Sequence, residues 1–144
     1  MADIATAVRT VLANDAAVAA VVGTRLYPDR IPQKLVDTTT TYPCIRLQLV
    51  DERSDVHLTG MSRLAAATIQ VDCYSLSRST STALGEKVRL ALGMYSGTSA
   101  SVIIQRCYPT ASGFHSAEQS KDGTDLPKYR HTRDYDLFFQ EATS

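Results

Sequence analysis

Hydrophobic and polar residues alternate along positions 68–75, which predicts a β-strand with one apolar and one polar face. The period then changes to that of a helix, because the apolar residues at 83, 84, 88, 91 and 92 form one stripe at 3.6 residues per turn. Ser79 or Ser81 is expected to cap the start of this helix. A strand followed by a helix that covers its apolar face is the smallest unit of a two-layer α+β domain. The apolar strand face consists of Ile69, Val71 and Cys73.

Two further helices are predicted at the N-terminus. Apolar residues at helical spacing run from Asp3 to Ala13, and Asp3 is a suitable cap. A second, short helix is predicted from Asp15 to Val22, with Gly23 as its C-terminal stop.

The remaining strands are predicted from alternation between turn signals. Cys44 to Val50 alternates apolar and polar residues. Positions 51–62 are strongly charged at their start and are predicted as a long hairpin loop leading to the strand at 68–75, which can begin as early as Leu64. The other predicted strands are Val102 to Tyr108, closed by Pro109, a short one at Phe114 to Glu118, and Tyr129 to Gln140.

Three segments are predicted to connect these elements without regular structure: 24–42, 93–101 and a mobile loop at 121–128. Together the elements predict an α+β fold with a mostly antiparallel sheet of four or more strands and two or three helices packed on one face. A chain of 144 residues has the length of one domain, and we expect residues 1–144 to form a single one.

Composition narrows the function classes. Fifteen basic and fifteen acidic residues balance, so the chain lacks the net positive charge of a general nucleic-acid binder. No apolar run reaches the roughly 20 residues that span a bilayer, and the N-terminus lacks the pattern of a signal peptide. Three unclustered cysteines, Cys44, Cys73 and Cys107, are expected to be reduced and buried in a cytosolic setting.

Catalytic and metal-binding motifs are not found in the sequence. His57, His115 and His131 are far apart, whereas metal ligands usually come in closely spaced motifs. The nucleophile elbow and the glycine-rich phosphate loops are also missing. One enzymatic alternative stays open: Cys107 and His131 would form a thiolate pair if the fold brought them together. We therefore expect no enzyme activity, cofactor or metal.

Two polar regions are candidate contact surfaces. The polar faces of the strands at 68–75 and 129–140 would form a charged sheet surface if these strands were neighbours, either solvated or in contact with another subunit. The charged segment from Asp51 to Asp55 is by default a solvated loop, but long ordered loops on compact domains are often binding arms.

The order of segments resembles the tail-completion family of long-tailed bacteriophages. The resemblance is carried by Val-Gly-Thr-Arg-Leu-Tyr-Pro at 22–28, Tyr-Pro at 42–43, Ile-Gln-Val-Asp-Cys-Tyr-Ser at 69–75 with the apolar helix positions after it, and Arg-Asp-Tyr-Asp-Leu-Phe-Phe at 133–139. These motifs span nearly the whole chain, and their order and spacing are more specific than any one of them.

This resemblance implies a virion structural protein, also called a tail terminator. Such a protein forms a homo-hexameric ring that caps the tail tube, contacts the tail tube protein and the head-neck stopper or connector, and leaves a channel through which DNA passes without specific binding. The implied location is the neck region of the tail in the virion, with assembly in the host cytoplasm and no membrane. Related particles include gene transfer agents.

Two alternatives remain: a head-side stopper or adaptor of the same neck, and a small cytosolic α+β enzyme or ligand-binding module. For the structural hypothesis, the residues expected to make contacts lie in the charged hairpin, on the polar strand faces and in the loop before the last strand. They are Asp51, Glu52, Arg53, Asp55, His57, Gln70, Asp72, Glu118, Lys121, Asp122, Asp125, Arg130 and Asp134.

Overall fold

The computed structural model describes residues 4–28, 43–57, 60–100, 102–110, 113–118 and 128–141. Three helices and seven strands lie within these ranges. The helices are α1 (Ile4–Asn14), α2 (Ala16–Val22) and α3 (Arg78–Leu92). The strands are β1 (Leu26–Pro28), β2 (Cys44–His57), β3 (Gly60–Ser75), β4 (Gly97–Ser99), β5 (Val102–Pro109), β6 (Phe114–Glu118) and β7 (Lys128–Glu141).

The helix ends follow local capping chemistry. At the start of α2 the Asp15 carboxylate accepts a hydrogen bond from the Val18 backbone N–H at 3.0 Å, and Gly23 ends the helix at a positive φ of 58°. The cap predicted at Asp3 lies outside the described residues. The predicted caps of α3 are wrong, because the helix begins earlier, after Ser77. Ser81 instead lies inside the helix, buried, and its hydroxyl donates to the Arg78 carbonyl at 3.0 Å.

The strands form one sheet in the order β1-β2-β3-β7-β5-β4, and β6 pairs with the first part of β7. Every described pairing is antiparallel except that of β1 with β2. The predicted α+β class, with a mostly antiparallel sheet and helices on one face, is therefore confirmed, although the sheet is mixed.

The prediction of a long hairpin loop at 51–62 is wrong. Strands β2 and β3 stay paired from Cys44 with Tyr74 as far as His57 with Gly60, across two register shifts. The charged residues are compatible with a strand because, among the described residues, β1 pairs with β2 only at positions 45–47 and no other strand pairs with this edge of β2. Asp51, Glu52 and Arg53 are accordingly all exposed.

Strands β1 and β4 were predicted as irregular connections. Each is three residues long, which is too short to show an alternation of period two. Their pairing depends on distant segments, since β1 adds to β2 and β4 adds to β5. The predicted mobile loop at 121–128 lies outside the described residues up to 127, and Lys128 already belongs to β7.

The hydrophobic core lies between the helices and one face of the sheet. The alternation in β3 and β7 places Ile69, Val71, Tyr135 and Leu137 on this face, each no more than 1% exposed. The serine of β4 ties the sheet edge to α1, because the Ser99 hydroxyl donates to the Ala7 carbonyl at 2.8 Å. All three cysteines are buried and free, as the sequence predicted.

Candidate interaction surface

No described helix packs on the other face of the sheet, which we call the helix-free face. The strand registers place side chains on it in rows that run across the sheet. One row joins Arg46, Asp72 and Thr132, the next joins Gln48, Gln70 and Asp134, and a third joins Asp51, Thr68, Asp136 and Tyr108. The two predicted polar strand faces are thus neighbours, because β3 and β7 are adjacent in the sheet.

A buried carboxylate organises one end of the helix-free face. Asp72 has no exposed surface, and its Oδ2 accepts from Nε and Nη2 of Arg46 at 2.9 and 2.6 Å. Its Oδ1 accepts from the Thr132 hydroxyl at 2.6 Å and from the Gln70 amide at 3.0 Å. A buried charge is stable only when it is paired and hydrogen-bonded, and this one is both.

The same end is closed by apolar side chains. Cys44 and Tyr74 are cross-strand partners, and they form a small buried cluster on which Tyr27 and Leu76 pack. The Arg46 guanidinium lies 5.8 Å from the centre of the Tyr74 ring, within reach of a cation–π contact. Burial raises the pKa of the Tyr74 hydroxyl. We call Cys44, Asp72 and Tyr74 with their partners the buried end.

The middle of the helix-free face is acidic. Asp134 and Asp136 are both partly buried on β7, and the Thr68 hydroxyl donates to Asp136 Oδ1 at 2.7 Å. Burial raises the pKa of Asp134, and the negative charges of Asp136 and Asp72 raise it further. The like charges are held close because the strand register, rather than an ion pair, sets their positions.

The opposite end of the helix-free face is aromatic and exposed. Tyr108 and Phe138 meet edge to face with ring centres 6.0 Å apart, and 41% and 44% of their surfaces are exposed. Ile103, on the same face, is 37% exposed, and the Arg106 guanidinium lies 5.9 Å from the Tyr108 ring centre. We call these four residues the aromatic end. The aromatic end is not among the predicted contact surfaces, although the alternation of β7 places Phe138 on the otherwise polar face.

Six of the residues predicted to make contacts lie on the helix-free face. They are Asp51, Arg53, Gln70, Asp72, Arg130 and Asp134. Asp72 is buried by partners within the chain, so only five of the six offer any surface to a partner. Asp51 and Arg53 bind each other at 2.9 Å, with 48% and 60% of their side chains exposed.

The other predicted contact residues are not gathered there. Glu52 alternates to the opposite side of β2, where its register partner is Ala67. Asp55, His57 and Glu118 lie in strands and are described by their backbone alone. Lys121, Asp122 and Asp125 lie outside the described residues.

The structure does not bring Cys107 and His131 together. Cys107 is opposite Leu137 on β7, six residues further along the strand than His131. The strand neighbours of His131 are Cys73 and His115, and the two imidazole centres lie 4.6 Å apart. Burial raises the pKa of the Cys107 thiol to about 12, the opposite of what a thiolate nucleophile needs.

The described residues offer little other chemistry. Within them, no group of three or more His, Cys, Asp or Glu side chains is placed to hold a metal ion. No single helix among them is long and apolar enough to cross a membrane, and α1 and α2 reach that length only as a pair bent by 90°. A sheet with one helix-covered face and one polar and aromatic face is typical of a protein that works by contact with other proteins.

Comparison with known protein families identifies the class of protein. The model of the family described as "Tail completion protein gp17" matches residues 6–103. Because the match covers more than half of the chain, the protein belongs to this family. It is a structural, non-enzymatic component of a phage-type tail.

A solved structure shows the same fold. A chain in the structure of the virion of a native gene transfer agent particle has a TM-score of 0.62 to this one, at 19% sequence identity. The likeness covers 93% of this chain and 92% of that chain. No curated protein matches the sequence.

Proposed function

We propose that the protein is the tail terminator: a hexameric ring that caps the tail tube, joins the tail to the head-neck connector and leaves a central channel for DNA. Its place is then the neck of the virion, and its partners are further copies of itself, the tail tube protein and the stopper or connector protein. The observation that carries the proposal is membership of the tail completion family over residues 6–103.

The surface chemistry supports a ring. A ring generated by rotation needs heterologous contacts, in which one patch of a subunit meets a different patch of its neighbour. The helix-free face offers an exposed aromatic end and a polar middle, while the helices form a different surface on the other side of the sheet. The fold therefore has two unlike sides with which to meet two neighbours.

The charge balance supports a channel that DNA crosses without being held. Each phosphate neutralised by a basic side chain adds to affinity for DNA and slows passage. Fifteen basic and fifteen acidic residues leave no net positive charge. A tail component with this balance suits passage better than binding.

Mass measurement tests the ring. Six copies of 15.7 kDa give about 94 kDa. Light scattering of concentrated protein is expected to give this mass, and negative-stain images of the same sample are expected to show a ring with a central hole. If the protein alone stays monomeric, the same images are taken with tail tubes present. Rings in neither sample would contradict the proposal, and binding to the head connector instead of the tube would favour a stopper or adaptor.

A triple substitution tests the charged part of β2 as a docking surface. Asp51→Ala, Glu52→Ala and Arg53→Ala together are expected to leave the monomer folded, because these side chains are exposed and their one ion pair contributes about 0.5 kcal/mol. Binding to tail tubes or to the neighbouring subunit is expected to weaken. Unchanged head-tail joining by the variant would remove this segment from the proposed docking surface.

A further inference from the structure

We propose that the aromatic end of one subunit binds the outward surface of helix α3 of the next subunit, so that a second copy of the chain covers this part of the helix-free face. The inference rests on the ring proposed above and adds which two surfaces meet in it. The outward surface of α3 is defined by Glu86 and Leu90.

Helix α3 presents an apolar side chain on the side that its own sheet does not use. Leu84, Val88 and Leu92 are buried against the sheet, at most 1% exposed. Leu90 lies on the opposite side of the helix and is 72% exposed, the largest value among the large apolar side chains that the structure describes. The three apolar side chains of the aromatic end lie across the sheet from it. The two surfaces face away from each other and cannot meet within one chain.

Layer architecture favours a helix as the occupant of the aromatic end. A sheet with an apolar patch on each face is stable when both faces are covered, and helices on the two faces of one sheet form a common three-layer arrangement. In this chain the described helices cover one face alone. A helix from a neighbour would supply the third layer. Repeating the contact head to tail gives a chain of subunits that closes when the rotation per step divides the circle.

Each of the two surfaces carries one exposed side chain of opposite charge to the other, Arg106 and Glu86. Arg106 is exposed beside Tyr108 at the aromatic end. Glu86 lies one turn before Leu90 on the outward side of α3, and 54% of its side chain is exposed even though it binds Arg89 at 2.7 Å. Docking Leu90 against the Tyr108 and Phe138 rings would bring a carboxylate near a guanidinium. Exposed pairs of this kind give orientation more than affinity.

Cross-linking tests the pairing of unlike surfaces. Ala83→Cys places a thiol on the exposed side of α3, and Gln140→Cys places one on the helix-free face beside Ile103. The three native thiols are buried, and burial raises the pKa of Cys44 and Cys107 to about 12, so they react slowly. With a short bismaleimide, the double variant is expected to give a ladder of covalent species up to the hexamer. Each single variant is expected to stay monomeric on the same denaturing gel.

Charge reversal provides an independent readout. Glu86→Arg and Arg106→Glu are each expected to weaken subunit association by roughly two- to fivefold, the range of an exposed ion pair. The double reversal is expected to restore it, because the pair is rebuilt with the signs exchanged. Restoration is measured by light scattering over a concentration series, and circular dichroism of each variant confirms that the subunit is folded.

The outcomes separate this inference from the proposed function. Rings that form without a ladder from the double variant, and without rescue by the double reversal, would overturn the pairing and leave the ring proposal standing. Dimers from either single variant would show that like surfaces meet, which also overturns the pairing. Rings in neither the free protein nor the sample with tail tubes would overturn both.

Discussion

The two ends of the helix-free face differ in how far their side chains are covered by the rest of the chain. At the buried end, Asp72 is enclosed by Arg46, Gln70 and Thr132. Both oxygens of its carboxylate accept hydrogen bonds from these residues. At the aromatic end, Tyr108 and Phe138 contact each other and still expose more than two fifths of their surfaces. Folding encloses the side chains at one end and leaves those at the other end exposed on the subunit.

Substitutions at the two ends are expected to change the stability of the subunit to different extents. Residues at the buried end contribute mainly to the stability of the subunit, because their contacts exist before assembly. Substitutions at the aromatic end are expected to change the stability of the subunit less, because these side chains are more exposed. Polar character alone does not identify surface residues, because the charged Asp72 is fully buried whereas the apolar Phe138 is 44% exposed.

The largest expected effect separates the two ends directly. Asp72→Ala leaves the Arg46 guanidinium, whose side chain is 24% exposed, without its partner. Removing one member of a buried ion pair costs about 3 kcal/mol. The free energy of unfolding from urea titration is therefore expected to fall by about that amount. Asp72→Asn, which keeps the shape and one of the two acceptor oxygens, is expected to cost less.

Phe138→Ala serves as the matched comparison at the aromatic end. Its ring is 44% exposed, so the free energy of unfolding of the monomer is expected to change by no more than about 1 kcal/mol. If Phe138→Ala destabilised the monomer as much as Asp72→Ala, the two ends would not differ in the way described.

Acid is expected to lower the stability of the protein through His131. His131 lies on the helix side of β7, opposite Cys73 and packed so closely against Gly85 and Gly113 that a Cβ at either glycine would collide with its ring. Burial lowers the pKa of His131, as do the charges of His115 and Arg133, with Glu86 acting in the opposite sense. The unfolded chain therefore binds a proton at a higher pH than the folded chain does.

The sign of the pH effect follows from this linkage. Above the ordinary histidine pKa of 6.5 the stability contribution is complete, and it is lost as the pH falls below that value toward the lowered pKa of the folded state. Urea titrations between about pH 8 and about pH 5 are expected to show a smaller loss for His131→Gln than for the natural chain. His115→Gln removes one of the charges that lower the pKa of His131, so it is expected to reduce the loss by less than His131→Gln does. Equal losses in all three proteins would contradict the assignment.

The smallest expected effect is that of a substitution at Asp134, which lies between the two ends of the helix-free face. Asp134→Asn removes a carboxylate whose pKa is raised by burial and by its neighbours Asp136 and Asp72. At neutral pH the variant is expected to be more stable by roughly 0.2–0.5 kcal/mol, the size of a partly solvated like-charge contact. The gain is expected to disappear in acid, because the natural Asp134 is then protonated and no longer repels its neighbours. A gain that persists in acid would point to a different cause.

Sequence periodicity predicted the elements that bury a face and failed where burial does not decide the structure. Ile69, Val71 and Cys73 alternate, and the apolar residues of α3 form a stripe, because both sets pack into one core. The strand and the helix could therefore be predicted from the sequence. The charged residues from Asp51 to Arg53 are exposed and show no apolar alternation. Their strand exists because β3 supplies hydrogen-bond partners, which the local sequence does not reveal.

The candidate surface was predicted in part for the same reason. Gln70, Arg130 and Asp134 were assigned to polar strand faces by alternation, and the pairing of β3 with β7 brings them together. The aromatic end was not predicted because its members come from two strands that are distant in the sequence. Only the adjacency of β5 and β7 makes Tyr108 and Phe138 one patch.

The sequence by itself determined the α+β class, the apolar faces of the main strands and helices, the buried thiols and the family resemblance, because each of these depends on residues close together along the chain. The tertiary structure alone decided which polar residues are enclosed and which stay exposed. Asp72 and Asp134 look alike in sequence, two aspartates on the polar faces of alternating strands. Arg46 and Thr132 reach the first from two other strands, and long-range strand pairing of that kind is fixed by the fold as a whole.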